Sequence, residues 1–329
     1  MAIKSIIPIL ILISIMGGML AAGMGGASAP AAAQLVEIGS YNMNGSATDV
    51  YVRDGHAFVA VKYSGINIIN VANPQSPRME GYHDTPDYAA GIDLQGDYAY
   101  IADRTGGLRI FDISNVTAPK EVGIYEMPGE AYGVFVLGDY AYVADRSLGL
   151  RVIDLSDPTS PIEVGSCRTP SRAYGISVSG DYAYLADGIG GLRVIDVSNP
   201  MEPEEVGYYE QWDIAYDVHV SGHYAYVAYY EGGLAIIDVS DPTKPRKVGS
   251  YDTAGLALGV YVDKDYAYIA DGTRGLSVID VSDPAAPQEV ASYDTPDLAW
   301  EVYVAEGYIY VADNESGLRI LQLRTVEGE

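Results

Sequence analysis

The sequence predicts an all-β protein, a seven-bladed β-propeller built from four-stranded units of 42 residues over residues 34–329. Three observations predict it. A strict internal repeat runs along the chain. Every repeat alternates in two-residue steps, with no helical period. The two ends of the chain also complement one another as missing and surplus strands.

The repeat is read from the phrase "DYAY" and its variants. Its first tyrosine stands at Tyr98, Tyr140, Tyr182, Tyr224, Tyr266 and Tyr308, always 42 residues apart, and His56 opens the matching "HAFVAV" one step earlier. That gives seven copies without an insertion. Helical solenoids share this period, so the pattern inside one copy must decide between them.

In the copy around residue 190, "YGISVSG" (Tyr174–Gly180) predicts the first strand and "YAYLAD" (Tyr182–Asp187) the second. The β-branched run "LRVIDVS" (Leu192–Ser198) predicts the third, and "PEEVGYYE" (Pro203–Glu210) the fourth. Gly, Asp, Asn and Pro punctuate these runs, as hairpin loops require. The paired glycines of "GIGGL" suit a tight hairpin, where positive φ is costly for other residues. The D-x-S-D/N-P segment ends the third strand, because its polar side chains bind backbone and proline cannot donate to a ladder. Four antiparallel strands repeated seven times describe a propeller. In each second strand, Tyr alternates with Ala or Val. This lets a large ring of one blade sit beside a small residue of the next, with the hydroxyl reaching water or a turn.

Closure follows from the termini. "QLVEIGSYN" (Gln34–Asn42) matches a fourth strand such as "PRKVGSYD" (Pro245–Asp252), while "GLRILQLR" (Gly317–Arg324) is a third strand with none after it. Pairing Val36 to Tyr41 with the last blade completes it and removes two exposed edges.

The segments "LRVIDLSDP" (Leu150–Pro158), "LRVIDVSNP" (Leu192–Pro200) and "LSVIDVSDP" (Leu276–Pro284) resemble LVIVD repeats. All seven copies share the resemblance. The first, "INIINVANP", and the last, "LRILQLRTV", depart at the Asp, and the second has Val116 in place of Pro. The resemblance implies an exported propeller of bacterial or archaeal surface proteins, with no catalytic residues to carry over.

Composition narrows the partners. A net charge of −26 disfavours nucleic acid as a target and docking on anionic lipid. Residues 1–33 carry Lys4, an apolar run from Ile6 and then small residues, the order of a secretory signal or an N-terminal membrane anchor. The rest is therefore expected outside the cell, secreted or at its surface, as a monomer touching membrane only through that segment. The lone Cys167 has no partner for a disulfide and is expected buried. The four histidines lack zinc spacing, and no P-loop, Rossmann, G-x-S-x-G or calcium-loop pattern occurs.

With seven copies acting as one another's control, an invariant position reads as architecture and a variable one on a rim as function. Asp103, Asp145, Asp187, Asp271 and Asp313 close the second strands, and in four of these copies Arg follows six residues later. Copies one and five lack both residues, so the reading is an ion pair across an exposed hairpin. The other reading, a ring of acids holding Ca²⁺, is the only cofactor in prospect. The first strand opens with Thr48, Ala90, Tyr132, Tyr174, Tyr216, Leu258 and Trp300, and the next position holds Asp49, Asp217 and Glu301 among glycines. These seven candidates, Tyr132, Tyr174, Tyr216, Trp300, Asp49, Asp217 and Glu301, suit a surface protein or a carbohydrate as ligand. The alternatives are that the rings plug the channel mouth, or that the acids serve a hydrolase or lyase. An enzyme should show a deep pocket with a carboxyl of raised pKa; a binding face should be broad and shallow.

Overall fold

The computed structural model describes residues 33–325. The leader read from residues 1–33 lies outside this range apart from Ala33. Seven four-stranded antiparallel sheets follow one another, each in sequence order except the last. Blade one comprises Ala47–Arg53, His56–Val61, Gly65–Asn70 and Arg78–His83. The inner strands of the other blades are Gly91–Gln95, Ala131–Leu137, Ile176–Ser179, Ala215–Ser221, Gly259–Asp263 and Glu301–Ala305, and each touches the next around a central channel. Among the described residues no helix is long and apolar enough to cross a membrane.

Closure occurs as expected. The N-terminal strand Ala33–Tyr41 pairs antiparallel with Leu318–Thr325, in a register running from Val36 opposite Gln322 to Tyr41 opposite Leu318. A bulge skips Ile38, as a bulge skips Val164 and Val206 in the outer strands of blades three and four, so the borrowed strand copies its repeats in detail.

The core is seven wedges between blades. Tyr100 packs in one cluster with Ala141 of the next blade, Tyr142 with Ala183, Tyr184 with Ala225, and Tyr310 with Ala57 across the closure. Large rings do meet small residues, as the alternation requires, and burying such side chains is the main source of blade cohesion. The second glycine of each hairpin pair adopts positive φ, for example +75° at Gly191. At the far end of the third strand, Asp154 Oδ1 accepts from Ser156 N at 2.8 Å, and Asp112, Asp196, Asp238 and Asp280 do likewise. These Asx turns stop the ladder.

One glycine series has a role that the repeat does not announce. A Cβ at outer-strand Gly81, Gly123, Gly165, Gly207 or Gly249 would strike the carbonyl oxygen that ends the next blade's third-strand turn, Pro284 O in the case of Gly249. Only Gly, with no side chain, permits that approach. Blade six has Ala291 here instead, and it faces blade seven, whose third strand runs on to Thr325 where the others turn.

The Asp–Arg reading is right in pairing and wrong in setting. Arg109, Arg151, Arg193 and Arg319 place Nε 3.7, 3.4, 3.8 and 3.4 Å from Asp103, Asp145, Asp187 and Asp313. The carboxylates are wholly buried, not at exposed turns. Each Arg also reaches a glutamate of the outer strand, Glu121, Glu163 or Glu205, and in blade seven the N-terminal strand supplies it as Glu37, 3.7 Å from Arg319. The closing strand thus restores the triad of the blade it completes. Shorter bonds to the Asp come from elsewhere: Thr85, Thr169 and Thr253 hydroxyls donate to Asp103, Asp187 and Asp271 at 2.6–2.7 Å, pinning the loop into the next blade. Cys167, free as expected, is half-buried rather than buried, on the outer strand and packed against the edge of the wedge that holds Leu150.

Candidate functional site: the channel and its mouth

The inner strands enclose a cavity of about 410 Å³ on the axis. All seven sequence candidates line it. Their layers follow from strand geometry, since each blade contributes one residue to each level.

At the mouth, Tyr132 and Tyr174 meet edge to face at 5.4 Å, Tyr174 and Tyr216 stack at 4.6 Å and 13°, and Tyr216 meets Tyr230 at 5.8 Å. Trp300 stands apart from this row. The gap is bridged by residues that the sequence reading missed. Lys62 Nζ lies 5.1 Å from the Trp300 ring and 5.2 Å from Tyr88, and the Arg104 guanidinium lies 4.7 Å from Tyr88 and 5.0 Å from Tyr132. Arg146 follows, 5.2 Å from Tyr132 and 5.9 Å from Tyr174. Cation and ring alternate along one continuous arc, each contact worth about 0.5–2 kcal/mol. Lys62, Arg104 and Arg146 come from the hairpins between second and third strands, so the rim has two kinds of loop. The signal was available: the position after the residue that closes each second strand reads Lys62, Arg104, Arg146, Gly188, Tyr230, Gly272 and Asn314 across the copies.

The acids lie one level below the rim, inside the channel. Asp49 accepts from its own neighbour Val50 N at 2.6 Å and from Ile92 N of the next blade at 2.8 Å; Asp217 accepts from Val260 N at 3.0 Å. Glu301 accepts from Val302 N at 3.0 Å. Asp49 and Asp217 therefore clamp neighbouring inner strands as well as facing the lumen. Burial pushes the Asp49 carboxyl up to about 7 and Asp217 to about 6, against the lowering effect of those backbone bonds. Glu301 is raised well above the usual range by burial, then by Asp217 and Asp49. The trio consequently carries less than its full charge near neutrality. Asp93, which the sequence reading passed over, lies deeper, accepts from Val136 N at 2.6 Å and Leu94 N at 2.7 Å, and is pushed by burial up to about 7.

Below the acids, Tyr51, Tyr303, Tyr261 and His219 form a second row with ring centroids 4.6–4.8 Å apart. Burial lowers His219 to about 4, so this imidazole is neutral at physiological pH. No group of three or more His, Cys, Asp or Glu side chains converges in metal-holding geometry among the described residues. The site thus combines the two features that were to separate function classes: a deep pocket with raised carboxyls, and above it a broad rim of rings and cations.

Known proteins place the fold and the family. The propeller resembles the computationally designed Ika8 protein (TM-score 0.65, 8% identity, 83% of this chain and 82% of that one). It is also similar to the Cps50 (Swd1) β-propeller domain of Myceliophteria thermophila (TM-score 0.69, 12% identity, 89% and 100% covered) and to the RRP9 WD40 repeats (TM-score 0.69, 12% identity, 88% and 97%). At such identities the likeness speaks for architecture alone. No curated protein matches the chain in sequence. The LVIVD repeat pattern matches seven times, at residues 44–85, 86–127, 128–169, 171–211, 214–253, 254–295 and 298–322, and the chain belongs to the LVIVD repeat family.

Proposed function

We propose that this protein is a non-enzymatic recognition module of the cell exterior, secreted or surface-held, that binds a protein or glycan at the channel mouth. One observation carries the reading. The blades match one another in their ladders, turns and wedges but diverge at the mouth, where rings and cations gather on one side. Repeats that keep their scaffold and vary one rim are built for recognition there. The module is taken to be a monomer without a cofactor. The test is saturable binding of the labelled protein to intact cells of its source, beside a Tyr174→Ala/Trp300→Ala variant. Loss in the variant with an unchanged melting temperature supports the reading, and equal binding by both forms refutes it. Loss on adding a chelator would restore the calcium ring.

A second reading, a hydrolase or lyase, is favoured by the raised carboxyls of Asp49, Asp217 and Glu301 in a closed-sided cavity. Against it, Asp49 and Asp217 hold backbone N–H groups of the adjacent blade. Turnover of any glycan that Asp217→Asn abolishes would put catalysis ahead of binding.

A further inference from the structure

The recognition reading leaves the ligand's chemistry open, and the arc of the mouth narrows it. Three cations occupy one position in consecutive blades, Lys62, Arg104 and Arg146, in a chain with only 19 Lys and Arg against 45 Asp and Glu. For Arg104, backbone geometry argues that the side chain is there for its chemistry. Arg104 sits at φ +43°, in the left-handed region, where the equivalent residues of blades four and six are Gly188 and Gly272. A long side chain is disfavoured there. Glycine would relieve the strain, yet arginine stands in its place.

The cations are not cancelled by their surroundings. Glu130 Oε2 serves both guanidiniums, 2.9 Å from Arg146 and 3.5 Å from Arg104, so one negative charge faces two positive ones. Lys62 donates to Asn314 Oδ1 at 3.3 Å and has no carboxylate within 4.0 Å among the described residues. Asp297 and Glu315 act on Lys62 through space, and neither lies within ion-pair distance of it. Two further donors, Arg146 Nε and Trp300 Nε1, are buried without an acceptor. Donors at the mouth call for an anionic, acceptor-rich group. The lumen beneath differs: the carboxyls of Asp49, Asp217 and Glu301 line it and suit hydroxyl groups, with which a carboxyl exchanges hydrogen bonds in either protonation state. The rim's rings, interleaved with the cations, suit a flat apolar face.

We infer that the mouth binds the terminal unit of an acidic glycan, its carboxylate on the Lys62–Arg104–Arg146 arc and its hydroxyls toward the Asp49, Asp217 and Glu301 carboxyls. This rests on the recognition reading and names its ligand class. The cavity of about 410 Å³ lies within the range of small-molecule sites, so a chain end enters and the remaining saccharide leaves over the rim.

The experiment is calorimetric titration of the full chain with a hexuronic-acid trisaccharide, the same trisaccharide with its carboxyls reduced to alcohols, and triglutamate. The uronate should bind, and carboxyl reduction should weaken it by about tenfold or more, the effect of losing hydrogen bonds to charged groups. Lys62→Gln with Arg104→Gly should weaken it equally; the lost cation–π contacts lower its melting temperature, glycine at position 104 offsets part of that loss, and an unchanged circular dichroism spectrum shows that the variant is folded. Equal binding of the reduced sugar overturns the anion assignment, and triglutamate binding as tightly as the uronate makes the ligand an acidic peptide. Failure of all three probes overturns the inference, while the cell-binding assay decides the recognition reading independently. The reduced-sugar comparison needs no variant, so a misfolded mutant would not protect the claim.

Discussion

Asp93→Asn separates the electrostatics of the channel from its packing. Asp93 is the most isolated of the channel carboxyls: burial raises it to about 7 from an ordinary 3.8, and no neighbouring charge contributes. In the unfolded chain it ionises near 3.8, whereas in the fold it keeps its proton until about 7. Between those values the native state binds more protons, so this group lowers stability as pH rises, at about 1.4 kcal/mol per pH unit, and stops doing so above about 7. The whole interval comes to at most about 4 kcal/mol; water in the channel reduces it, to about 2–4 kcal/mol. The amide is isosteric, cannot ionise, and its oxygen can accept one of the two bonds now taken from Val136 N and Leu94 N. The lost second bond costs about 1–3 kcal/mol at every pH. Urea unfolding of both proteins in steps from about pH 4 to about pH 8 should show the variant gaining on the parent by about 2–4 kcal/mol. Asp217 and Glu301 titrate in both proteins and cancel in the difference, while Asp49, which the Asp93 charge raises, ionises more readily in the variant and adds to the same gain. Two parallel curves, within about 1 kcal/mol across the range, would refute the buried, proton-holding Asp93.

Three further perturbations test the architecture. Gly249→Ala drives a methyl into Pro284 O and should cost about 1–3 kcal/mol, lowering the melting temperature by several degrees, whereas Ala291→Gly should stay within about 1 kcal/mol. Equal effects at the two positions would remove the close-approach argument. Ser277→Arg supplies the missing member of the blade-six triad between Asp271, whose Oδ2 lacks a partner, and Glu289. It should stabilise by about 1–3 kcal/mol at neutral pH and pull Asp271 down from about 6; a lower melting temperature would show that the blade has no room for it. Removing residues up to Tyr41 strips the outer strand from blade seven, takes Leu35 from its wedge and unpairs Glu37 from Arg319. The product should associate through the bare edge in light scattering, and a monomer melting like the parent would overturn the closure.

The sequence by itself determined blade number, strand order and closure, because these rest on local alternation and on a period that any two copies display. It also determined which Asp meets which Arg, since a six-residue hairpin leaves the pair no other distance. It placed Tyr132, Tyr174, Tyr216, Trp300, Asp49, Asp217 and Glu301 on the channel, because strand period sets the face a side chain takes. Only the tertiary structure decided what happens between blades. The bond from Ile92 N to Asp49, the approach of Gly249 to Pro284 and the Thr253 hydroxyl on Asp271 depend on how one sheet is stacked against another or how a loop folds back. No periodicity encodes that stacking. For the same reason the Asp–Arg hairpin reads as exposed along one blade and is buried once its neighbour packs over it. Lys62, Arg104 and Arg146 fall between these cases: their variability is written in the repeats, but their meeting with rings of neighbouring blades is a product of stacking alone.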